Sequence, residues 1–537
     1  MMKIAILHGY LLHGSGSNIY VQNVTKELVG LGHDVHLFCQ ERHPENYPFI
    51  KKAICIKNER IIEYYHSNNT HGATLINPDL DLLPVYVMDI YPEFKQVKLF
   101  IELSDEELEE YIKRNISSYT TFFDKFQYDI IHANHLVMMP YFASYLNQKY
   151  QVPYVIVPHG SSLVYTIQKD PRYKKLAIEG LHNATYIIPG NANFRDRILQ
   201  YFEKDLPNLQ EKMRIVPLGV DTNLFSPIPK EKRKEVLSNL INKLSHVPKG
   251  KPKRDELEFI KKISAMRKES INEVLTSIPS YSQKAPDESI TDKLRGIDPL
   301  SERILIFFGR LILGKGIHNL LASLLPLLTW YDDLKVIIVG AGPMREWGEW
   351  FIHAGGLGNI DMVKSLIEWG KSHFNDRKEF WDAIIHFFES QDETILRTYH
   401  FNPSRVIFTG FLNHTYLAPL LALADWACFP SLVPESFGLV LVEAASCGVI
   451  PVASYFSGFK EILDHFKERI PQDVFSLLTI PAEGKAIVFK LIDSLSKLIE
   501  KKPAIAHLLR EVAVNKFSWK SVTIELEQVY LEALQKS

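Results

Sequence analysis

The feature that most constrains the fold is a regular alternation of short, continuous apolar runs with amphipathic helical patterns. The runs Lys3–His8 and Val35–Phe38 flank a stretch, from Val21 to Leu31, in which apolar residues recur at helical spacing. Apolar runs that are separated by helices are typical of parallel strands covered on both faces. Further strands are predicted in this half of the chain at Ile130–Ala133, Tyr154–Val157, Tyr186–Ile188 and Arg214–Val216.

The same alternation restarts near residue 303. Its strands are predicted at Ile304–Phe308, Val336–Val339, Val406–Phe408, Trp426–Phe429 and Ile450–Ala453. We therefore predict an α/β chain of two Rossmann-like domains, each with a doubly wound parallel sheet, that face a cleft. The N-terminal domain is expected to cover residues 1–221 with a C-terminal helix at about 517–537, and the C-terminal domain residues 222–516.

Two helical insertions interrupt the second domain, at about residues 228–300 and 343–404. The second is far longer than the usual connection between a helix and a strand. The first is rich in lysine and arginine, but acidic residues are interleaved with them. This pattern predicts a solvated helical excursion, with peripheral contact to a membrane surface or an anionic acceptor as the alternative.

Composition favours a globular, cytoplasmic protein. Charged residues make up 23% of the 537 positions and the formal net charge is −2, so global charge does not favour nucleic acid. The four cysteines lack close spacing, and we expect buried thiols in a reducing compartment. The N-terminus lacks the pattern of a signal peptide, and no run reaches the roughly 18 apolar residues of a membrane span. Peripheral attachment at the inner membrane face is the alternative to a purely cytoplasmic location.

The strongest chemical motif is the segment PESFGLVLVEAASCG, in which a loop leads into a helix near Gly438. Around the start of this helix, Phe437, Gly438 and Leu439 can offer backbone N–H groups to an anion or to sugar hydroxyls. Glu435 lies at the helix mouth, and its alternative role is that of a stabilising N-terminal acid. Glu443 interrupts an otherwise apolar helix, where an unpaired carboxylate is costly.

A second motif places two cations, Arg310 and Lys315, between a predicted strand and a helix. In open α/β sheets, ligands bind at the carboxyl ends of the strands. The forked guanidinium and the compact ammonium group suit a diphosphate. The alternative is a pair of solvated loop cations.

A glycine turn precedes the first helix, with Gly14 and Gly16 in the sequence GSGS. Such a turn at a helix start can cradle a phosphate. As a dinucleotide fingerprint it is incomplete, because its third glycine position holds Ile19. An acid does follow, at Asp34 or Glu41, so a dinucleotide-binding interpretation stays open.

Histidines end two predicted strands of the first domain. His159 follows Tyr154–Val157 and could hydrogen-bond a sugar in the cleft, although a lone histidine is more often structural. His132 and His135 end another strand, and we interpret them as structural or cleft-lining. No carboxylate or cysteine joins them at metal-ligand spacing, so we expect neither a metal site nor a cofactor.

Together these motifs resemble the GT-B glycosyltransferases, specifically the retaining family 4 type, also called glycosyl transferases group 1. The motifs that carry the resemblance are Gly14–Gly16, Gly32–Val35, His132–His135, His159–Gly160, Gly309–Gly316, Val339–Gly342, Val406–Gly410 and Pro434–Ala444. Each motif alone is weak, but the ordered set is specific and covers most of the chain outside the two insertions.

The resemblance implies transfer of a sugar, expected to be a hexose, from a nucleotide-diphosphate donor with retention of anomeric configuration and without a metal. It implies that Arg310 and Lys315 hold the diphosphate and that Glu443 binds the ribose. Glu435, with the N–H groups of Phe437–Leu439, would bind the transferred sugar. The acceptor is expected to be a small molecule, a lipid carrier or a glycan.

In the same resemblance Phe411 would lie beside the base, the Gly14–Gly16 loop would close on the phosphates, and His159 would join Glu435 as a catalytic residue. The sequence departs from the family where a glycine pair is expected and Ser457-Gly458 stands. This departure and the insertions leave the donor and the acceptor undetermined.

Other functions remain as alternatives. A sugar-nucleotide epimerase or hydrolase would use the same donor site without an acceptor. A nicotinamide-dependent oxidoreductase would use the first domain, and an inactive scaffold would have no need to keep its four polar cleft groups.

Overall fold

The computed structural model describes residues 1–57, 60–88, 91, 93–265, 267–277, 284–374 and 377–536. The chain forms two compact units, Met1–Gly219 with Phe517–Ser537, and Val220–Lys516. Each unit contains a largely parallel sheet with helices, as expected of Rossmann-like domains.

The first unit is built on an eight-stranded sheet in the order β10-β9-β8-β1-β2-β5-β3-β4, beside a two-stranded pair, β6-β7. The strands are β1 Lys3–Leu7, β2 Asp34–Phe38, β3 Ile50–Lys57, β4 Arg60–His66, β5 Ala73–Asn77, β6 Leu82–Val85, β7 Gln96–Leu99, β8 Ile130–Asn134, β9 Tyr154–Val157 and β10 Tyr186–Ile187. Among the strands of the described residues, the edge strand β4 alone is antiparallel to its neighbour, which is β3. The strand order reverses between β1 and β8, and such a switch point is where open sheets bind ligands.

Both faces of this sheet are covered. In β1, Ile4 and Ile6 enter one apolar core, and Ala5 and Leu7 enter the other. Because both faces of the strand are buried, its sequence is a continuous apolar run. The helices of this part of the chain are α1 Gly16–Gly30, α2 Asp105–Phe123, α3 Met139–Tyr150, α4 Gly160–Ser162, α5 Pro171–His182 and α6 Ala192–Phe202.

The structure corrects one strand of the first unit. The prediction of a strand at Arg214–Val216 is wrong, because only the preceding Met213 forms an isolated bridge, with Ile187. The segment is too exposed for a buried strand, since Ile215 is 39% exposed.

Strands β3 to β7 were not predicted from the sequence. Lysines in β3 and β7 and the exposed face of β4 break the apolar runs that mark buried strands, and β5 and β6 are short.

The second unit has a six-stranded, fully parallel sheet in the order β13-β12-β11-β14-β15-β16. Its strands are β11 Arg303–Phe308, β12 Leu334–Val339, β13 Val406–Phe408, β14 Trp426–Phe429, β15 Ile450–Ser454 and β16 Thr479–Ile480. The five strands predicted here are confirmed to within two residues at each end. The order reverses between β11 and β14, so a second switch point lies there.

Some helices of this unit lie in the two predicted insertions, and the others connect the strands of the sheet or follow the last of them. The insertion at about 228–300 holds α7 Arg233–Ser245, α8 Lys253–Ser264, α9 Ile271–Thr276 and α10 Ile290–Arg295. The segment 343–404 holds α12 Arg345–Gly356, α13 Ile360–His373, α14 Asp382–Ser390 and α15 Glu393–Leu396, after α11 Ile317–Trp330. The remaining helices are α16 His414–Leu421, α17 Leu439–Ser446, α18 Ser457–Lys467, α19 Gln472–Leu478, α20 Ile487–Lys501 and α21 Ala506–Phe517.

The last helix, α22 Trp519–Lys536, belongs to the first unit. Trp519 packs edge-on against Tyr20, at 5.8 Å between ring centroids. Tyr530 lies against His132, in the middle of β8. The last helix of the chain therefore packs onto the face of the first sheet that carries Ile4 and Ile6.

A close backbone contact fixes the second switch point. Gly316 has φ 68°, and a Cβ there would lie 1.8 Å from the carbonyl oxygen of Pro430, just after β14. The loop after β11 thus touches the loop after β14 in a way that only glycine permits.

We predict that Gly316→Ala lowers the unfolding midpoint far more than Gly484→Ala. Gly484 shares the positive φ, at 94°, but a Cβ there meets nothing within 4 Å. Gly484→Ala should cost about 1–2 kcal/mol for the left-handed backbone alone, whereas Gly316→Ala must also displace backbone. Chemical denaturation measures both, and equal losses would contradict the contact.

Candidate active site

The switch point of the second unit brings a cation and an acid together. Lys315 follows β11 and Glu435 follows β14, and Lys315 Nζ lies 2.5 Å from Glu435 Oε1. The sequence separates the two residues by 120 positions. Because β11 and β14 are neighbours with parallel directions, their following loops meet at one edge of the sheet.

The backbone of Glu435 is held from the start of α18. Ser457 Oγ donates to the carbonyl oxygen of Glu435 at 3.0 Å, and the N–H of Gly458 donates to the same oxygen at 3.1 Å. Ser457 adopts φ 52°, in the left-handed region. A serine therefore stands where the family resemblance expects glycine, and its hydroxyl makes a contact that glycine lacks.

The helix start near Glu435 is set by a glycine. Gly438 has φ 100° and forms the N-cap of α17, and a Cβ there would lie 2.5 Å from the Phe459 ring. The first-turn N–H groups, beginning with Leu439, point out of the helix start, where the helix dipole favours negative charge. Phe437 is buried just before this turn.

Glu443 is a buried carboxylate one turn into α17. It is 5% exposed, and its nearest cation-forming group is His414 Nε2, at 3.5 Å from Oε1. Burial raises the pKa of Glu443 to about 8, and burial lowers the pKa of His414. At neutral pH the pair is therefore a protonated acid beside a neutral imidazole, ready to hydrogen-bond with hydroxyl groups.

Two further predicted residues lie along the same edge of the sheet. Arg310 follows β11 after a single glycine and is exposed. Phe411 follows β13 and is partly buried, and its N–H donates to the carbonyl oxygen of Ala285 at 3.1 Å. The structure thus places the predicted diphosphate, sugar and ribose residues after strands β11 and β14, and the predicted base residue after β13.

His159 lies at the carboxyl end of β9 in the first unit, and its hydrogen bonds define its tautomer. Asn134 Nδ2 donates to the carbonyl oxygen of Leu7 at 3.2 Å, which turns Asn134 Oδ1 towards His159 Nε2, 3.1 Å away. His159 Nε2 must therefore carry the proton, assigned from this network. Burial lowers the pKa of His159 to about 3. The ring is neutral, and its Nδ1 is a hydrogen-bond acceptor.

Three more histidines surround His159. His135 lies 4.8 Å from the His159 ring centroid and stacks on His8 at 5.7 Å. Burial lowers the pKa of His8 to about 4 and that of His132 to about 3. Neutral rings pack without mutual repulsion. The histidine cluster therefore forms an uncharged, buried group of side chains at the first switch point.

The glycine turn before α1 lies at this same switch point. Gly14 has φ 93°, and Ser15 caps α1 by accepting from the N–H of Asn18 at 3.4 Å. Gly16 is exposed as the first residue of the helix. The side chain of Asn18 contacts His8, with 3.1 Å between Asn18 Oδ1 and His8 Nε2.

Neither acid of the dinucleotide interpretation is available to a ribose. Glu41 is 0% exposed, and it accepts from the N–H groups of Leu12 and His43, each at 3.0 Å. Asp34 pairs with Lys3; burial opposes its ionisation, but the Lys3 hydrogen bond lowers its pKa.

Two negative findings apply to the described residues. Among them, no group of three or more His, Cys, Asp or Glu side chains is arranged to hold a metal ion. None of the helices in the described part of the chain combines the length and apolar character of a membrane span.

The four cysteines are unpaired, and the expectation that all are buried is wrong for Cys55, which is partly exposed.

Sequence reasoning missed the partners that orient the predicted residues. These partners are Asn134 for His159, Ser457 for Glu435, His414 for Glu443 and Ala285 for Phe411. Only Ser457 carried a signal, because it replaces an expected glycine and therefore marked an unusual backbone.

The chain matches known families in both units. Residues 14–224 match Glycosyltransferase Family 4, and residues 389–475 match Glycosyl transferases group 1. It is 25% identical over 234 residues to an uncharacterized glycosyltransferase of Methanocaldococcus jannaschii, covering 44% of this chain and 46% of the relative. It is 27% identical over 232 residues to a glycogen synthase of Mycobacterium tuberculosis, covering 43% and 42%. The chain thus spans less than half the length of these curated relatives.

Among solved structures, the catalytic domain of starch synthase IV from Arabidopsis thaliana shares the fold. The TM-score is 0.54 at 12% identity, with 99% of each chain covered. Two Rossmann-like domains of this kind define the GT-B fold. The fold is therefore of the GT-B type, and the two matched segments are similar to glycosyltransferases of family 4 and of group 1.

The raised pKa of Glu443 predicts a pH-dependent cost to stability. Since the pKa is raised from 4.5 to about 8 on folding, the folded state binds more protons between these values, and stability falls as pH rises through this window. Glu443→Gln should remove the loss, leaving stability nearly unchanged at pH 5 and more than about 1 kcal/mol higher at pH 8.5. Urea unfolding at both pH values measures this, with exposed Glu235→Gln as the control. Parallel pH profiles for Glu443→Gln and the unmutated protein would contradict the burial of this carboxyl group as the cause of its raised pKa.

Proposed function

We propose that the protein transfers a sugar from a nucleoside-diphosphate sugar to an acceptor, with retention of anomeric configuration and without a metal ion. The observation that carries this proposal is the convergence of Lys315 and Glu435 at the switch point of the second unit, beside the start of α17. A cation, an acid and a helix N-terminus suit the two ends of a sugar diphosphate.

Donor binding would rearrange the Lys315–Glu435 pair. The diphosphate would attract Lys315 Nζ away from Glu435. The exposed Arg310 would then bind the diphosphate together with Lys315. Glu435 would then be free to accept hydrogen bonds from the hydroxyls of the sugar. Its backbone stays fixed by Ser457 and Gly458, so the carboxylate would need only a side-chain rotation.

The developing negative charge on the leaving diphosphate would be met by fixed groups. Arg310, Lys315 and the N–H groups at the start of α17 stabilise negative charge, which is the task a divalent cation performs in other transferases. This charge set supports a metal-independent reaction. The starch synthase IV structure is described as bound to ADP and acarbose, which supports a nucleoside diphosphate as the ligand class here.

Glu443 and His159 would contribute as neutral groups. Protonated Glu443 can both donate to and accept from the hydroxyls of a ribose. His159 offers its Nδ1 as an acceptor for a hydroxyl of the sugar or the acceptor, a role that fits a ring too weakly basic to be charged. The acceptor is expected to be a small molecule, a lipid carrier or a glycan.

We expect UDP, GDP or ADP to raise the unfolding temperature in the presence of EDTA, while NAD does not. A ligand at about 100 times its Kd stabilises by roughly 2.7 kcal/mol, enough for a shift of several degrees. Arg310→Ala should abolish the shift, whereas Arg254→Ala, whose side chain is 88% exposed on α8, should keep it. A shift with NAD alone, or a full shift in Arg310→Ala, would contradict the donor site.

Product analysis separates transfer from epimerisation or hydrolysis. Incubation of the protein with the identified nucleotide sugar and no acceptor should leave the donor intact. An epimer, or free sugar formed at the rate of turnover, would show that the site performs the other reaction.

A further inference from the structure

The first insertion returns to the sheet as a short strand-like segment, residues 285–287. The N–H of Asp287 donates to the carbonyl oxygen of Thr409 at 2.9 Å, and the N–H of Phe411 donates to that of Ala285 at 3.1 Å. Between them Pro286 forms an antiparallel bridge with Gly410. The loop after β13 is thus paired along its length with a segment from outside the sheet.

A buried group of charges fastens this segment. Arg345 Nη1 donates to Asp287 Oδ1 at 2.8 Å, and Lys293 Nζ donates to Asp287 Oδ2 at 2.9 Å. Lys293 Nζ also donates to the carbonyl oxygen of Phe408 at 2.8 Å, at the end of β13. Although burial opposes ionisation, the Arg345 and Lys293 charges lower the pKa of Asp287 to about 2. Asp287 is therefore ionised and held in place at every physiological pH.

The fit against the loop is close. Gly410 has φ 76°, and a Cβ there would lie 2.7 Å from Asp287 Oδ1 and 2.9 Å from its backbone nitrogen. The glycine at this position therefore serves the contact with the insertion as well as the turn itself.

The same charges join the two insertions. Lys251, from the first insertion, contacts Glu346 and Glu349 of α12 at 3.4 and 3.0 Å, and Arg345 also binds Glu349 at 3.0 Å. Lys251 and Arg345 are 1% and 2% exposed. These lysine and arginine charges are thus used inside the unit and do not add to a basic surface.

We propose that the segment 285–287 is the positioning element for the nucleobase of the donor. This inference rests on the proposed function and on the family resemblance, which implies that Phe411 lies beside the base of the donor. Because the N–H of Phe411 is already donated to Ala285, the loop would hold the base by its shape and by the partly exposed Phe411 ring, which offers a stacking surface. The insertion sets the position of that surface and so determines how tightly the base is held, independently of the diphosphate.

The test is the double variant Asp287→Asn/Arg345→Met, which removes one buried negative charge and one buried positive charge together. Lys293 keeps Glu256 as its partner, and Glu349 keeps Lys251, so no buried charge is left alone. The matched control is Lys251→Met/Glu346→Gln, which removes another buried pair between the insertions without touching residues 408–411. Calorimetry gives the Kd of UDP, GDP, ADP and inorganic pyrophosphate for each protein.

The double variant should bind the preferred nucleoside diphosphate about tenfold more weakly while its affinity for pyrophosphate is unchanged. The control should bind both like the unmutated protein. A purely structural role would weaken both ligands in parallel, and that result, or unchanged nucleotide affinity, would overturn the inference. If the double variant does not fold, the single variant Asp287→Asn takes its place with the same expected and contrary results. Failure of the unmutated protein to bind any of the three nucleotides would instead overturn the proposed function.

Discussion

The reversal of strand order between β11 and β14 is the constraint on which the proposed site depends. Where the strand order reverses, the loops that follow two neighbouring parallel strands lead to opposite faces of the sheet and leave a crevice at the carboxyl ends of the strands. At this point the backbone of Gly316 packs against the carbonyl group of Pro430, and the side chains of Lys315 and Glu435 lie beside this contact.

The charges of the chain are arranged in two different ways. In the proposed site the charges are few and partly exposed: Arg310 is exposed, burial raises the pKa of Glu443 to about 8, and the side chains of Lys315 and Glu435 form a partly exposed pair. In the insertions, by contrast, the charges of Asp287 and Arg345 are buried and fully paired. The first arrangement leaves hydrogen-bonding capacity for a ligand, and the second holds backbone in place.

Much of the fold could be predicted because buried parallel strands carry a strong sequence signal. The runs at Tyr154–Val157, Val406–Phe408 and Trp426–Phe429 are strands with the predicted bounds. Strand β4 was not predicted because an edge strand with one exposed face has no continuous apolar run, and β3 was not predicted because lysines interrupt its apolar residues. The site residues could be named from motifs, since glycine turns and isolated acids stand out in apolar sequence.

Their partners could not be named, because they come from distant parts of the chain. Asn134 meets His159 only through the pairing of β8 with β9, and Ala285 meets Phe411 only because an insertion folds back. Such contacts depend on tertiary packing, which has no local pattern. The same holds for Asp287 and Arg345, 58 positions apart, which look like ordinary surface charges in the sequence.

Hydrogen–deuterium exchange with and without the stabilising nucleoside diphosphate tests the location of the donor site most directly. At the start of α17 the N–H of Leu441 donates to the carbonyl oxygen of Gly438, but the N–H groups of Leu439 and Val440 have no acceptor one turn earlier in the helix and should exchange rapidly in the free protein. The account predicts slower exchange on ligand binding at residues 309–316 and 436–443. Protection confined to residues 8–18, with no change in residues 220–516, would place the nucleotide in the first unit and contradict it.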